Sequence, residues 1–508
     1  MTSKITVDKP CDQFSYWKHR WEEIDDAIEG EIKVKMKRSR YLRPLSGMNN
    51  IKTNTNDTNN YDDYEIYLER ARWYAAPARS LTMMLGLIAR RPVSLVVDDS
   101  LEDQINFDIN GYNNGISDIF ILLCDNLIRY GRAAILVDYS RNTSAGQGRA
   151  YIDCISATSI INWRFSGSKL SLIVIKQVES IQDPDDEFST IDVEVFKVWR
   201  LELISEDLGE ADPRSSVVSY QRYIKQFNSS TNSFDLIPEE KIYPTNMGSY
   251  LTEIPIRFIS CSKDQTKIES SPIEPICTHS FTYYRVSADR GWGLHHIALP
   301  TPYFTGVSKN QLPNGLGPSI IIALPQGATA GILSYSGEGL GELSSEMTEI
   351  KSEIADYGAR LLESRGKVGE AADTVELKMM SDSASLSTIV KNVVAGITWS
   401  LRLYHELNGR PAEAVSANVD TDFITTKLSG ANLTALVNAY LSGAIPLEVM
   451  FNNLKEGQIV DSETSYEKFV DDLAETQASQ LDITVTSNNN TTDVNSNTTG
   501  TNNPGTGT

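Results

Sequence analysis

Two long amphipathic segments bracket a short Gly/Pro-rich stretch and constrain this chain more than any other feature. In the second segment, Gly341 to Leu362, apolar side chains recur at spacings of three and four residues, which is typical of a helix with one apolar face. These residues are Met347, Ile350, Ile354, Tyr357 and Leu361. The first segment extends from Pro272 to about Leu299 and is followed by two prolines. The pattern predicts two helices joined by a compact β-containing insert over 301–338.

Carboxylates follow the same spacing on another face of the second segment. They are Glu342, Glu346, Glu349, Glu353 and Asp356. Carboxylates at helical spacing usually form a solvated face. The alternative is a face turned toward a lumen, where rings of negative charge would deny phosphate groups a place to bind. The sequence leaves both interpretations open.

The first half of the chain predicts helices followed by a β-rich module. Helices are expected at Tyr16–Ile28, over Tyr61–Ile88 with a break at Pro77, and at Ile116–Tyr130, where Gly131 ends the last one. A buried strand, Ala133–Asp138, follows. From about Tyr151 to Cys261 the apolar period becomes two, which predicts further strands. The predicted strands are Leu170–Val178, Asp192–Leu203, Val217–Phe227 and Ile254–Ile259.

The last third of the chain predicts helices and a polar tail. After a Gly- and acid-rich gap we expect an extended piece, Thr374–Met380, and then a long helix capped by Ser385 and stopped at Gly409 to Pro411. Further helices are expected from about Asn432 to Glu475. Residues 487–508 are almost entirely Asn, Thr, Ser and Gly, a composition that predicts disorder. The expected fold class is α+β.

The charge balance excludes some classes of function. The chain has 67 acidic and 46 basic side chains and a formal charge of −21. Proteins that grip DNA usually neutralise phosphates with lysine and arginine, so this balance argues against a repressor, a nuclease or a packaging motor. It does not argue against a protein surface that DNA slides past without binding. Solubility alone would also explain the acidity.

The sequence offers little that indicates catalysis. It has no phosphate-binding GxxxxGK[ST] loop and no GxSxG elbow, and Gly337 to Gly341 forms only part of a dinucleotide fingerprint. The pair His295-His296 lacks a nearby acid at ligand spacing. The five cysteines are widely spaced, as in reduced thiols. We therefore expect no enzyme, no metal and no cofactor, and neither a membrane span nor a signal peptide.

A cluster of arginines is interleaved with aromatic residues in the first half. It contains Arg70, Arg72, Arg79, Arg90 and Arg91, together with Trp73 and Tyr74. Such a mixture occurs in nucleic-acid sites. It also occurs where arginine stems cover apolar surface or pair with acids of a neighbouring subunit, which is favoured in so acidic a chain.

The order of these elements resembles that of the portal proteins of tailed bacteriophages, especially a family long described only as a domain of unknown function. The resemblance extends from Tyr61 to about Val460. Its main strings are YLERARWYAAPARSLTMMLGLIARRP at 67–92, RYGRAAILVDY at 129–139, ISATSIINW at 155–163, ADRGWGLHHIALPTPYFTG at 288–306, ALPQGATAGILSYSGEGLGELSSEMTEIKSEIADYGARLL at 323–362 and SASLSTIVKNVVAGITWSLRL at 383–403. Each string is weakly specific, and the specificity comes from their order and spacing.

The resemblance implies a portal fold with an α/β wing, a two-helix stem, a small clip and a helical crown. The implied parts are an N-terminal arm at 1–60, the wing at 61–270, stem helices at 271–299 and 339–364, the clip at 300–338, a tunnel loop at 365–384, the long wing helix at 385–419, the crown at 420–480 and a disordered tail at 481–508. Two long helices beside a small insert cannot bury all their faces, so ring closure by one repeated contact is expected to supply neighbours.

The resemblance also implies partners and roles. The family forms dodecameric rings at one capsid vertex of the virion, through which double-stranded DNA is packaged and ejected. The implied partners are the terminase large subunit, a tail adaptor, and the major capsid and scaffolding proteins, without a membrane. Another ring-forming adaptor or structural protein of the virion is the alternative.

Roles for particular residues follow from the implied layout. The five carboxylates of the second segment are the channel-lining candidates, and its five apolar residues are the candidates for packing between subunits. The tunnel-loop candidates are Arg365, Lys367, Glu370 and Asp373. Replacing Glu346, Glu349 and Glu353 with lysine is expected to slow DNA translocation, because each lysine would attract phosphate.

Overall fold

The structure of the protein is a computed structural model, in which the chain forms two compact units, Met1–Phe423 and Ile424–Thr508. The residues that it describes are 6–46, 48, 63–140, 148–183, 186–203, 216–228, 233–262, 266–298, 301–308, 323–333, 337–357, 372–421, 430–456, 459–460 and 464–473. The predicted tail at 481–508 lies outside the described residues.

Short helices form the N-terminal part of the first unit. They are α1 (Asp12–Glu29), α2 (Glu31–Met36), α3 (Asp63–Arg70) and α4 (Ala76–Ala89). Pro77 lies in the first turn of α4, where its missing N–H costs nothing, so the predicted break is confirmed. Gly30 separates α1 from α2 with a φ of 92°, a backbone conformation that favours glycine.

A helix and strand pair follows as predicted. The next elements are β1 (Ser94–Val96), α5 (Asp99–Phe107), α6 (Ile116–Tyr130), β2 (Arg132–Ser140) and β3 (Arg149–Ser156). Helix α6 ends at Gly131, whose φ is 71° and whose N–H donates to the Leu127 carbonyl at 2.8 Å. This stop reverses the chain directly into β2, so the predicted helix and strand are both confirmed.

Antiparallel strands make up the next part of the first unit. They are β4 (Ile160–Ser166), β5 (Lys169–Gln182), β6 (Thr190–Leu203), β7 (Ser216–Asn228), β8 (Ser233–Pro238), β9 (Thr245–Asn246), β10 (Ser249–Tyr250) and β11 (Ile256–Ser260). Strands β4 to β8 form one sheet in sequence order, β9 pairs with β10, and β11 joins β2 and β3 in a second sheet. The predicted strands correspond to β5, β6, β7 and β11.

The two sheets pack face to face, and helices cover their outer faces. On β2, Ala134 and Leu136 face the larger sheet and belong to a core with Ile173 and Trp199. The intervening residues of β2 face the helical core instead. The far face of the larger sheet is covered by residues of α1, including Trp21, whose indole N–H donates to the Tyr130 carbonyl at 3.1 Å.

Two long helices and a short hairpin precede the end of the first unit. The elements are α7 (Glu274–Ala298), β12 (Thr301–Thr305), β13 (Thr329–Leu333), α8 (Gly339–Asp356), α9 (Ala372–Leu407) and β14 (Ser416–Asn418). Strand β12 pairs with β13, and β14 pairs with β1. Asn392 joins α9 to the end of β11, because its amide donates to the carbonyls of Ser260, Cys261 and Ser262 at 3.0–3.2 Å.

Three details of the predicted helices are corrected. Helix α8 ends at Asp356 rather than near Leu362, and Gly358, a residue type that commonly ends helices, follows closely. Residues 374–380 are helical rather than extended, and Ser385 lies inside α9 instead of capping it. The sequence ELKMM at 376–380 is made of strong helix formers, which the weak apolar period of this stretch concealed.

The second unit contains the helices α10 (Gly430–Leu441) and α11 (Leu447–Glu456), with further helical residues at 466–473. Phe451 of α11 packs against Tyr466 and Phe469, with ring centroids 5.5 and 5.0 Å apart. Helices were predicted over this region. The described residues as a whole mix helices with antiparallel sheets, in agreement with the predicted α+β class. No helix in the described part of the chain has the length and apolar character needed to cross a membrane.

Candidate functional site

Helices α7 and α8 form an antiparallel hairpin with the β12–β13 pair at its connecting end. Arg290 Nε donates to Ser344 Oγ at 2.9 Å near the middle of the hairpin. Closer to the connection, Gly293 lies against Leu340, and a Cβ added to the glycine would lie 2.9 Å from Leu340 Cδ2. The absence of a side chain at Gly293 therefore lets the two helices approach closely. The predicted helix–insert–helix arrangement is present.

The apolar face of α8 is buried within the chain itself. Ile350 and Ile354 are 2% and 1% exposed and belong to the main core, against which Met347 also packs. The prediction that Ile350 and Ile354 pack on a neighbouring subunit is therefore wrong, because the chain's own core covers them. Tyr357 is 50% exposed, and Leu361 lies outside the described residues.

The carboxylates of α8 lie to one side of this buried face, about 100° around the helix axis from Ile350 and Ile354. At about 100° per residue, the five acidic positions fall within a narrow sector of the helix. Glu342, Glu346 and Glu349 are exposed, and no basic side chain of the described residues pairs with them. Asp356 is exposed as well, and Glu353 is half-exposed. The five carboxylates thus form one negative surface, here called the acidic face.

His279 of α7 borders the acidic face. Its Nδ1 lies 3.1 Å from Glu353 Oε2, and its ring stacks on Tyr357 with centroids 5.2 Å apart. No local sequence pattern distinguishes this histidine, because its contacts are made with a helix that is distant along the chain. Glu353 consequently differs from Glu342, Glu346 and Glu349, because it has a partner on the neighbouring helix.

Lys351 is the one basic residue of α8, and it points away from the acidic face. Its ammonium lies 5.4 Å from the ring centroid of Tyr74 and 5.5 Å from that of Tyr283. Cation–π contacts of this kind hold the charge over aromatic faces. The acidic face therefore carries no compensating lysine from its own helix.

The other predicted candidates lie elsewhere or outside the described residues. Arg365, Lys367 and Glu370 lie outside the described residues, and only the helical backbone of Asp373 is described. In the arginine cluster, Arg70, Arg72, Arg79 and Arg90 are exposed. Arg91 pairs with Asp420 of the same chain at 2.9 Å.

The histidine pair is explained by packing. The ring of His296 meets that of Trp292 edge to face, with centroids 4.6 Å apart. Within the described ranges, no group of three or more histidine, cysteine or acidic side chains lies together in a way that could hold a metal ion. The acidic face thus remains the candidate site.

One comparison with known proteins matches the region that contains the acidic face. Residues 272–406 match the family described as Domain of unknown function (DUF4055), a span that contains the α7–α8 hairpin and nearly all of α9. A search of curated proteins found no match.

Solved structures similar to this chain come from virus-like particles and phages. A chain from the virion of a native gene transfer agent particle is 11% identical, with a TM-score of 0.36, over 76% of this chain and 89% of that one. A chain from the neck of the native particle, computed with C12 symmetry, is 11% identical, with a TM-score of 0.36, over 75% of this chain and 89% of that one. An HK97-family phage portal protein from Corynebacterium diphtheriae is 12% identical, with a TM-score of 0.28, over 74% and 99% of the two chains. Residues 272–406 thus match the DUF4055 family, and a phage portal protein and particle-neck chains are among the structural neighbours, over 74–76% of this chain.

Proposed function

We propose that this chain is a portal subunit, one of a ring of copies that surrounds a channel for double-stranded DNA at one vertex of a viral capsid. The observation that carries the proposal is the division of α8 into two faces. One face is buried by Ile350 and Ile354, and the other presents five carboxylates. A helix fixed in this way holds its acidic face in one orientation, and repetition around an axis would multiply that charge.

The acidic face suits a channel wall better than a binding site for DNA. Specific and non-specific grip on DNA both depend on basic side chains that neutralise phosphates. Carboxylates repel phosphates, so a duplex would pass along such a wall without finding a place to bind. Glu342, Glu346 and Glu349 have no basic partner among the described residues, so no neighbouring cation compensates their repulsion of a polyanion. We therefore assign the acidic face to the lumen.

The other parts of the chain follow the layout of portal subunits that the sequence resembles. In this layout the β12–β13 pair belongs to the clip, which docks the terminase large subunit during packaging and a tail adaptor afterwards. The two packed sheets belong to the wing and the second unit to the crown. The tunnel loop lies before α9, which begins at Ala372, so it is shorter than the 365–384 that the resemblance implied. The ring is expected to be a dodecamer that assembles with scaffolding and major capsid proteins. The subunit acts by shape and charge and needs no catalytic residue.

The proposal is tested by imaging the purified full-length chain by negative stain, with and without scaffolding protein. Closed rings with a central opening are the expected result. A monomer at micromolar concentration under both conditions would contradict the proposal. Gold labelling of particles separates a portal from another ring-forming protein of the virion, since a portal occupies a single head vertex and a tail protein does not.

A further inference from the structure

The larger sheet of the first unit has an open edge on β5. Strand β4 pairs with β5 only as far as Ile175, whereas β6 pairs with β5 to its end at Gln182. Residues 176–182 therefore have β6 on one side, and no strand of the described residues pairs with their other side. The sheet's opposite edge is β8, for which β7 is the one partner among the described strands.

The open edge carries little of the protection that edges of natural sheets usually have. Proline, bulges and uncompensated charged side chains, lysine above all, commonly prevent edge-to-edge pairing. Residues 176–182 contain no proline, and their register with β6 continues without a shift. The two charged side chains of this stretch are paired within the sheet, Lys176 with Glu194 and Glu179 with Arg222, so that neither leaves an uncompensated charge at the edge. The edge is thus left as a regular template for another strand.

Apolar side chains are exposed on both faces of the sheet near its two edges. On the face that α1 covers further along, Val178 of β5 and Phe234 of β8 are 59% and 64% exposed. On the other face, Ile181 of β5 and Ile237 of β8 are each close to half exposed. Each face therefore has one exposed apolar side chain at the β5 edge and one at the β8 edge. These side chains come together when the β5 edge of one sheet adjoins the β8 edge of another.

We propose that the β5 edge of one copy of this chain pairs with the β8 edge of the next copy, so that the larger sheets join across the subunit boundary. Three antiparallel steps separate β5 from β8, so the two strands run in opposite directions. Rotation about an axis parallel to the strands preserves each strand's direction. The β8 strand of one copy would therefore meet β5 of the next in an antiparallel pair, with the same sheet faces aligned.

This contact is heterologous, since it uses a different surface on each of the two copies. Contacts of that kind repeat and close into a ring when the rotation permits. The inference rests on the proposed ring and adds to it the surface through which neighbouring wings bind. It also gives the apolar side chains of both edges a partner of matching chemistry, a second copy of this chain.

Paired cysteines test the contact in the full-length chain. Val178→Cys with Phe234→Cys places both thiols on one face of the joined sheet, so a short bis-maleimide is expected to link copies into a ladder of multimers. Val178→Cys with Ile237→Cys is the matched control, because these positions lie on opposite faces and should not link. The single-cysteine variants report any reaction of the five native thiols.

A charge at the edge tests the contact by a second route. Val178→Lys is expected to lower the ring population about tenfold or more at a fixed concentration, because a lysine at a sheet edge disfavours pairing with a second strand and would place a charged side chain in the apolar joint. Phe188→Lys, in the exposed turn between β5 and β6, is the control and should leave rings intact. Circular dichroism on both variants separates loss of assembly from loss of fold.

The outcomes distinguish this inference from the proposed function. Normal rings in Val178→Lys together with no cross-linked ladder would overturn the edge contact and leave the portal proposal standing. Cross-linked linear multimers without rings would support the edge contact and contradict the portal proposal. A ladder in the paired variant and loss of rings in Val178→Lys would support both.

Discussion

The imidazole of His279 on α7 contacts the carboxylate of Glu353 on α8, with Nδ1 and Oε2 3.1 Å apart. The same ring stacks on Tyr357, immediately beyond the end of α8. The contact fixes the relative position of the two helices at the end of the hairpin that lies away from β12 and β13. It also separates Glu353 from Glu342, Glu346 and Glu349, which have no such partner.

This difference changes the choice of residues for a test of the channel wall. The triple replacement of Glu342, Glu346 and Glu349 by lysine leaves the His279–Glu353 contact intact and reverses the charge of three exposed positions. DNA packaging is expected to slow or stop while ring assembly continues, since every subunit would add three cations that attract phosphate. Packaging assays measure the effect, and the corresponding glutamine variant isolates reversal of charge from its loss. Unchanged packaging by the lysine variant would refute the lumen placement.

Gly131 is expected to tolerate no side chain. A Cβ at this position would lie 2.1 Å from the Glu269 carbonyl oxygen, and the φ of 71° is unfavourable for other residues. Gly131→Ala should therefore lower the free energy of unfolding by about 2 kcal/mol or more, as measured by urea denaturation. Gly167→Ala is the matched control, because Gly167 has a φ of 62° and open space around it. Equal losses for the two variants would contradict the steric explanation.

Arg132 is a buried cation without a full set of hydrogen bonds. Its Nε and Nη2 have no partner among the described residues, while its guanidinium lies 4.6 and 3.5 Å from the ring centroids of Trp163 and Phe258. Burial lowers the pKa of Arg132 to about 9. Cation–π attraction contributes about 2 kcal/mol, whereas burial of an uncompensated charge costs several kcal/mol. Arg132→Met is therefore expected to preserve or raise stability at pH 7, by up to about 2 kcal/mol.

The pH dependence of this variant gives an independent check. Because the folded-state pKa of Arg132 lies below its unfolded value, the unfolded chain retains the proton more strongly as pH rises above 9. The wild-type protein should gain stability relative to Arg132→Met between pH 8 and pH 10, as measured by chemical denaturation. A methionine variant that is clearly less stable than the wild type at pH 7 would contradict this expectation. The attraction of the guanidinium to the aromatic side chains of Trp163 and Phe258 would then exceed the cost of burying its charge.

The pKa shift of Glu194 favours the charged form in the folded state, whereas the pKa shift of Arg132 favours the neutral form. Hydrogen bonds from Lys176 and Lys225 lower the pKa of Glu194 below its ordinary value. The folded state therefore binds the proton less strongly than the unfolded state, and the contribution to stability is present at neutral pH and lost as pH falls through the folded-state pKa. Glu194→Gln should be less stable than the wild type at pH 7, and the difference should disappear well below about pH 4. Denaturation at both pH values measures it, with Asp192→Asn as a neighbouring control. A difference that stays constant with pH would contradict the assignment.

The sequence by itself determined most elements of the fold and the residues of the candidate site. Helix α6 and its stop at Gly131 were predicted because apolar period and a left-handed glycine are local properties of the chain. The acidic face was predicted for the same reason, since spacing alone places its carboxylates on one side of α8. Local spacing failed at 374–380, where helix-forming residues outweighed a weak pattern.

Only the tertiary structure decided what covers each face. Ile350 and Ile354 were predicted to face a neighbour, but α8 packs into the chain's own core and buries them there. Periodicity identifies an apolar face without saying which segment, far away in sequence, packs on it. The same holds for three further features: the contact of Glu353 with His279, the burial of Arg132 between Trp163 and Phe258, and the open edge of β5. Each depends on contacts between residues that are distant along the chain, which no local pattern encodes.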